Sequence, residues 1–259
     1  MKTVLMSNSL PREREKMILL EVREVSKRFG GLMAVNNVTF RVNDSEILGL
    51  IGPNGAGKTT LFNLISGVYR PDSGRIIFDS VDITHLRPFQ RCKLGLGRTF
   101  QITQPFKDMT VLDNVATAVL FRGVDRVYNI EKARKEAFDF CNMVGLDSKV
   151  GEMAGSLSVI ERKKLEVARA IATRPKLLLL DEVMAGLRPS EVDESVSLIR
   201  KIKEYMGFGV ILVEHIMRAV MKISDRIIVL HHGEKIADGG VEEVANDPKV
   251  IDAYLGEQV

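Results

Sequence analysis

The sequence predicts an α/β fold: a mixed central sheet with helices around it, an antiparallel β subdomain ahead of it and a helical subdomain set into it. Three observations predict this class. Short apolar runs, Ile47 to Ile51, Leu177 to Leu180 and Gly209 to Val213, have the length and continuity of strands covered on both faces. Strand-like and helix-like stretches alternate after Pro175, which calls for parallel strands joined by helical crossovers. From Val111 to Thr173 the period changes to that of helices, with Val111, Val115 and Val119 on one face and the charged stretch Glu131 to Glu136 on another. At 259 residues, 45% of them hydrophobic, the chain can bury one full core of this kind.

Taken in order, residues 1–16 carry Pro11 and the mixed-charge run Arg12 to Lys16 without a sustained period, and are expected to be a loosely ordered extension. A single domain is expected over 17–259, with the helical subdomain at approximately 105–173. Ile18 to Val25 and Val35 to Val42 are β-branched and partly alternating, separated by Phe29-Gly30-Gly31, and read as an antiparallel pair. After Ile47 to Ile51 comes a glycine-rich turn and then a helix-like run, Thr59 to Ile65. Pro71-Asp72-Ser73-Gly74 turns the chain into a strand, Arg75 to Phe78, expected to make the sheet mixed. Beyond the helical part, Leu177 to Leu180 is a buried strand bounded by Pro175 and Asp181. A helix over 189–206 opens on Pro189, followed by strand Gly209 to Val213 and helix His215 to Ile223. Strand Arg226 to Leu230 and a hairpin strand through Gly233 to Ala237 close the pattern.

The totals exclude several classes. No apolar run approaches the roughly 18 residues of a membrane span, and the stretch around Arg12 to Lys16 leaves no room for a secretory apolar core. The expected location is cytoplasmic. The two cysteines, Cys92 and Cys141, lie too far apart for a C-x-x-C metal site or a disulfide framework. Basic and acidic residues nearly balance, 37 against 34, with only short basic clusters, so nucleic acid is not indicated as a partner. Peripheral attachment to the inner face of a membrane through a protein partner is compatible with these numbers.

The chemistry starts at Gly52-Pro53-Asn54-Gly55-Ala56-Gly57-Lys58-Thr59-Thr60, which fits G-x-x-x-x-G-K-[ST] without a mismatch and sits between a strand and a helix. This is a phosphate cradle of the P-loop NTPase kind. The glycines let consecutive N–H groups turn toward phosphate oxygens, and the helix start adds its partial positive charge. Lys58 is expected to reach the β- and γ-phosphates, Thr59 to offer its hydroxyl to Mg²⁺, and Thr60 to stand near the phosphates as a further donor. A dinucleotide turn would read G-x-G-x-x-G without the lysine, an order this stretch does not have. Downstream, four leucines end in Asp181-Glu182, which places two carboxylates at the C-terminal end of a buried strand, where open α/β sheets hold ligands. Asp181 is expected to hold Mg²⁺ and Glu182 to polarise the water that attacks the γ-phosphate.

With these motifs in place, the sequence from Met17 onward resembles the ATPase subunit of an ABC transporter. Further residues agree in order: Phe29, Gln101 within Arg98-Thr99-Phe100-Gln101, and His215 after Leu212-Val213-Glu214. The resemblance implies the ABC ATPase fold, ATP with Mg²⁺ as ligands, and an ATPase activity that drives transport. It further implies that Phe29 stacks on adenine, that Gln101 senses Mg²⁺ and couples to the membrane subunit, and that His215 contacts the γ-phosphate.

The departures from the family are local. Its signature places Ser-Gly-Gly-Gln at a helix start, where it meets the γ-phosphate held by a partner subunit. Here the stretch reads Leu157-Ser158-Val159-Ile160-Glu161, although the following Arg162 to Ala170 fits the family. Ser158 and Glu161 have the spacing of a capping box, which keeps the helix start and leaves Ser158 able to face an anion. Val159 and Ile160 would hinder close backbone approach, and Glu161 would repel phosphate if it faced one. Val183 replaces the usual proline, and Arg188 stands where an acidic residue or asparagine is usual. Two readings stay open: a weaker half-site paired with a related, non-identical ATPase, or a subfamily variant of full activity.

Asp82-Ile83-Thr84, Gly97 to Gln101, Phe106 to Val111 and the tail Asp247 to Gly256 resemble the ATPases of branched-chain amino-acid importers. That group implies two different ATPases, two transmembrane permease subunits and, indirectly, a substrate-binding protein. Importers of urea or short amides share these motifs, and a soluble, non-transport ATPase of the same superfamily is the competing class.

Overall fold

The computed structural model describes residues 17–99, 104–122 and 129–255; the extension expected over 1–16 and Gln101 lie outside them. Two long strands, β1 (Ile18–Phe29) and β2 (Leu32–Asn43), form the expected antiparallel pair, each longer than its alternating stretch suggested. β3 (Ile47–Ile51) leads through the phosphate turn into α1 (Lys58–Ser66). β4 (Ser73–Phe78), β5 (Val81–Asp82), α2 (Pro88–Lys93) and β6 (Leu96–Arg98) follow, and then the helices α3 (Val111–Phe121), α4 (Ile130–Met143) and α5 (Val159–Ala172). The chain continues through β7 (Leu177–Asp181), α6 (Pro189–Met206), β8 (Gly209–Val213) and α7 (Met217–Ile223). It ends in β9 (Arg226–His231), β10 (Glu234–Gly239), α8 (Val241–Ala245) and α9 (Pro248–Leu255).

These strands make two sheets. The first is antiparallel, in the order β2-β1-β4-β5, and the second has six strands in the order β10-β9-β3-β8-β7-β6. The central sheet is mixed as expected, but for a different reason. The strand at Arg75 to Phe78 joins the antiparallel sheet, pairing Leu20 with Phe78 and Val22 with Ile76 so that their buried side chains share one core. The antiparallel member of the central sheet is β10, against β9. β6 had no counterpart in the sequence reading, since three residues are too few to show a period, yet it pairs parallel to β7 at the sheet's edge.

Side chains of the central strands alternate between the two faces of the sheet, as a strand covered on both faces requires. Leu48, Leu50, Leu177, Leu179, Ile211 and Val213 pack with α1 and the antiparallel sheet. Leu178, Leu180, Val210 and Leu212 pack on the other side, in a core continued by Val115, Ala137 and Leu165 of the three middle helices. Helix starts are set by local chemistry: Thr110 caps α3, Asn129 caps α4, and α6 opens with a proline in its first turn and ends at left-handed Gly207. The helix expected from His215 begins at Met217, because Ile216 (φ −85°, ψ 88°) is still outside helical geometry. Beneath the end of α1 lies Arg91, fully buried, which donates to the carbonyls of Leu64 (2.6 Å), Ile65 (2.7 Å), Thr84 (3.0 Å) and Leu86 (3.0 Å). Burial lowers its pKa to about 10.

Candidate functional site

The turn between β3 and α1 is shaped by the backbone on either side of it. A Cβ on Gly52 would lie 2.1 Å from the Leu230 carbonyl oxygen, and one on Gly57 would lie 2.3 Å from that of Ala34, while Gly57 has φ 99°. Only glycine fits these two positions. Ala56 accepts from the Gly233 N–H at 3.1 Å, which ties the turn to the β9–β10 hairpin. Lys58 is buried, and its Nζ donates to the carbonyls of Gly52 (2.6 Å) and Pro53 (2.7 Å), so the ammonium lies inside the turn. α1 has no side-chain cap at its start, and the N–H groups of such a turn suit an anion. Thr59 is exposed and Thr60 half-buried, both in the first turn of α1.

Asp181 stands at the end of β7 and lines, with Thr59, Asn63, Arg98 and Glu166, a cleft of about 720 Å³. Its Oδ2 accepts from Arg98 Nη2 at 2.9 Å, and Arg98 Nη1 donates to Asn63 Oδ1 and Ser66 Oγ at 2.7 Å each. The Asp181 Oδ1 is buried without a hydrogen-bond partner. Burial pushes the Asp181 carboxyl up, against the pull of Arg98. A cation beside Oδ1 would reverse that push and satisfy the buried oxygen, so the residues present fit a divalent ion next to Thr59. Among the described residues no cluster of three or more His, Cys, Asp or Glu side chains could hold a metal alone. That suits Mg²⁺, which takes few protein ligands and completes its shell with phosphate and water.

The next residue, Glu182, turns out of the strand with φ 49°, and its N–H donates to the Val213 carbonyl at 2.9 Å. Its Oε1 lies 2.9 Å from His215 Nε2. Two sequence-distant residues meet because β7 and β8 are adjacent and parallel, with Asp181 paired to Val213. Glu182 and His215 thus leave neighbouring strand ends together. Ser158 takes its place at the start of α5, where the expected capping box forms. Ser158 Oγ accepts from the Glu161 N–H at 3.4 Å, while Glu161 Oε2 accepts from the Ser158 N–H at 2.8 Å and hydroxyl at 2.7 Å. Glu161 is also paired with Lys149 at 3.3 Å. Phe29 ends β1, 41% exposed, with its ring edge-on to Tyr69 at 5.2 Å. Arg98 carried no site signal in the sequence apart from its place in the Arg98 to Gln101 stretch, because its partner Asp181 is distant in the chain.

Residues 35–185 match the family model described as ABC transporter, more than half of the chain, and residues 234–259 match the one described as Branched-chain amino acid ATP-binding cassette transporter. The chain belongs to the ABC transporter family. This ABC cassette is 40% identical over 250 residues to the High-affinity branched-chain amino acid transport ATP-binding protein LivG of Escherichia coli, covering 92% of this chain and 98% of that protein. It is 39% identical over 251 residues to the Probable branched-chain amino acid transport ATP-binding protein LivG of Archaeoglobus fulgidus, covering 93% and 97%. Among solved structures it resembles the ADP conformation of an ATP-binding cassette of an ABC transporter, with a TM-score of 0.83, 32% identity and coverage of 93% and 99%. It also resembles a dimeric post-hydrolysis cassette bound to ADP and Pi, with a TM-score of 0.78, 25% identity and coverage of 86% and 99%. As an ABC cassette the chain is an ATP-binding and ATP-hydrolysing subunit. No helix among the described residues is long and apolar enough to cross a membrane.

Proposed function

We propose that this cassette powers a branched-chain amino-acid importer, as one of two related but non-identical ATPases that close on ATP beneath two transmembrane permease subunits. A substrate-binding protein delivers the solute to the permease, and the cassette sits peripherally on the inner face of the membrane. The observation that carries the ATPase reading is the convergence of the 52–60 turn, Asp181, Glu182 and His215 on one end of the adjacent strands β3, β8 and β7. The solute is supported by the names of the relatives and by the match over residues 234–259.

In this reading the backbone N–H groups of residues 52–60 and the Lys58 ammonium bind the phosphates, and Phe29 receives the adenine. Thr59 and Asp181, with Gln101 from outside the described residues, would hold Mg²⁺, which neutralises charge on the phosphates when bound. Glu182 accepts a proton from the attacking water, and His215, hydrogen-bonded to Glu182 Oε1, keeps that carboxylate oriented while facing the γ-phosphate. Ser158 meets the nucleotide held by the partner ATPase.

The test is Glu182→Gln in the assembled transporter. The substitution keeps the shape of the side chain and removes its basicity, so it should trap an ATP-bound closed pair with hydrolysis cut to a small residual rate, seen by size-exclusion chromatography and phosphate release. A variant that stays monomeric with ATP and partner subunits present counts against closure. Uptake of labelled leucine into vesicles tests the solute, and transport of urea instead would replace it.

A further inference from the structure

Glu182 has a left-handed backbone, φ 49°, which residues with a side chain hold only where the surroundings impose it. Two charged side chains from other elements surround this turn. Lys163, half-buried on α5, donates from Nζ to the carbonyls of Glu182 (3.1 Å) and Ala185 (2.6 Å). Glu214, 2% exposed, accepts the Met184 N–H on Oε1 at 2.6 Å, and its Oε2 is buried without a hydrogen-bond partner. The carbonyls of the turn are therefore held from the α5 side and an amide between them from the β8 side. The two charges also favour each other's ionised forms, although burial works against both, lowering the Lys163 pKa and raising that of Glu214 to about 7.

We propose that Lys163 and Glu214 are positioning residues for hydrolysis: together they clamp the 182–185 turn in its strained shape and so fix the Glu182 carboxylate against His215. The proposal rests on Glu182 being the group that activates water. It makes α5, the helix that opens at Ser158, the anchor of the hydrolytic carboxylate in the same chain. Neither residue touches the phosphate turn, so the clamp acts on turnover and leaves the binding of nucleotide alone.

Hydrogen–deuterium exchange and ATP turnover on the full chain assembled with its partner subunits separate the parts of this proposal. Lys163→Met and Glu214→Leu should raise amide exchange across 182–185 by about tenfold or more. They should lower kcat by roughly tenfold to a hundredfold, the order expected for a misplaced catalytic group, with KM for ATP changed less than about twofold. Lys163→Arg should recover most of kcat, since a guanidinium can still donate to two carbonyls. In a Glu182→Gln background, Lys163→Met should reduce residual turnover no further. Unchanged exchange in Lys163→Met, faster exchange with wild-type kcat, or a loss that falls as much on KM as on kcat would each overturn the clamp. Lys163→Met decides the matter if Glu214→Leu fails to fold. Wild-type turnover in Glu182→Gln alone would instead overturn the reading of Glu182, while the exchange result still reports whether the turn is clamped.

Discussion

In the proposed function the starts of α1 and α5 both meet nucleotide, and they are built in opposite ways. At α1 no side chain caps the helix, Gly57 is left-handed, and the turn takes its form from carbonyls of β2 and β9 pressed against its glycines. At α5 the first turn closes on itself through Ser158 and Glu161, and Val159 beside it is 56% exposed. The difference teaches that the α1 site is a property of the whole fold, whereas the α5 site is a property of four residues. It also bears on the altered signature. Glu161 folds back onto its own helix start and pairs with Lys149, so its charge is drawn away from a facing phosphate, while the Ser158 hydroxyl proton is committed to that carboxylate.

Substitutions can break this contrast. The largest effect belongs to Lys58→Ala, which deletes the one ammonium inside the α1 turn. Charge-assisted hydrogen bonds contribute about 1.5–3 kcal/mol, so ATP affinity measured by calorimetry should fall by at least tenfold to a hundredfold. Retained affinity would remove the turn from the site. Gly57→Ala comes next. The added methyl meets the Ala34 carbonyl in a backbone conformation that side chains resist, at about 1–3 kcal/mol, and both thermal stability and ATP affinity should drop together. Ser158→Ala should cost about 1 kcal/mol of stability through the lost cap, with ATP affinity of the single chain unchanged. If its affinity for ATP fell as well, the two helix starts would not be independent.

The smallest effect is a pH dependence. Hydrogen bonds from Ser158 hold the Glu161 pKa below its ordinary value, with burial opposing and Lys149 assisting. Because the folded value is the lower one, this contribution to stability is complete above the unfolded pKa of about 4.3 and disappears as pH falls through the folded value. Glu21, Asp72, Asp82 and Asp113 are also held low by their partners, so thermal melts between pH 3 and 6 should show an acid-side loss that Glu161→Gln makes slightly smaller. An identical profile in the variant would mean that the cap contributes no titrating term.

Features written in consecutive residues were legible in the sequence. The phosphate turn, the buried run ending at Asp181, the helix over 189–206 and the capping box at Ser158 all appear where spacing and composition placed them. Features made by distant residues were not. The assignment of Arg75 to Phe78 to the outer sheet depends on pairing with β1, and β6 exists because β7 offers it a partner. Arg91 looks like a surface arginine on a short helix until four carbonyls from two segments converge on it. In the site, Lys163 and Glu214 sat inside stretches that agreed with a family pattern, and that agreement says nothing about which carbonyl or amide they hold. Arg98 and Asp181 stand 83 positions apart and meet only through the parallel pairing of β6 with β7.

The carbonyls that crowd Gly52 and Gly57 come from β9 and β2, strands of different sheets. The phosphate turn is therefore a joint, and whatever grips it also fastens the outer sheet to the inner one. At a nucleotide concentration a hundred times its dissociation constant, that fastening adds about 2.7 kcal/mol against any opening that distorts the turn. ATP would thus act as mortar between the two sheets as well as fuel.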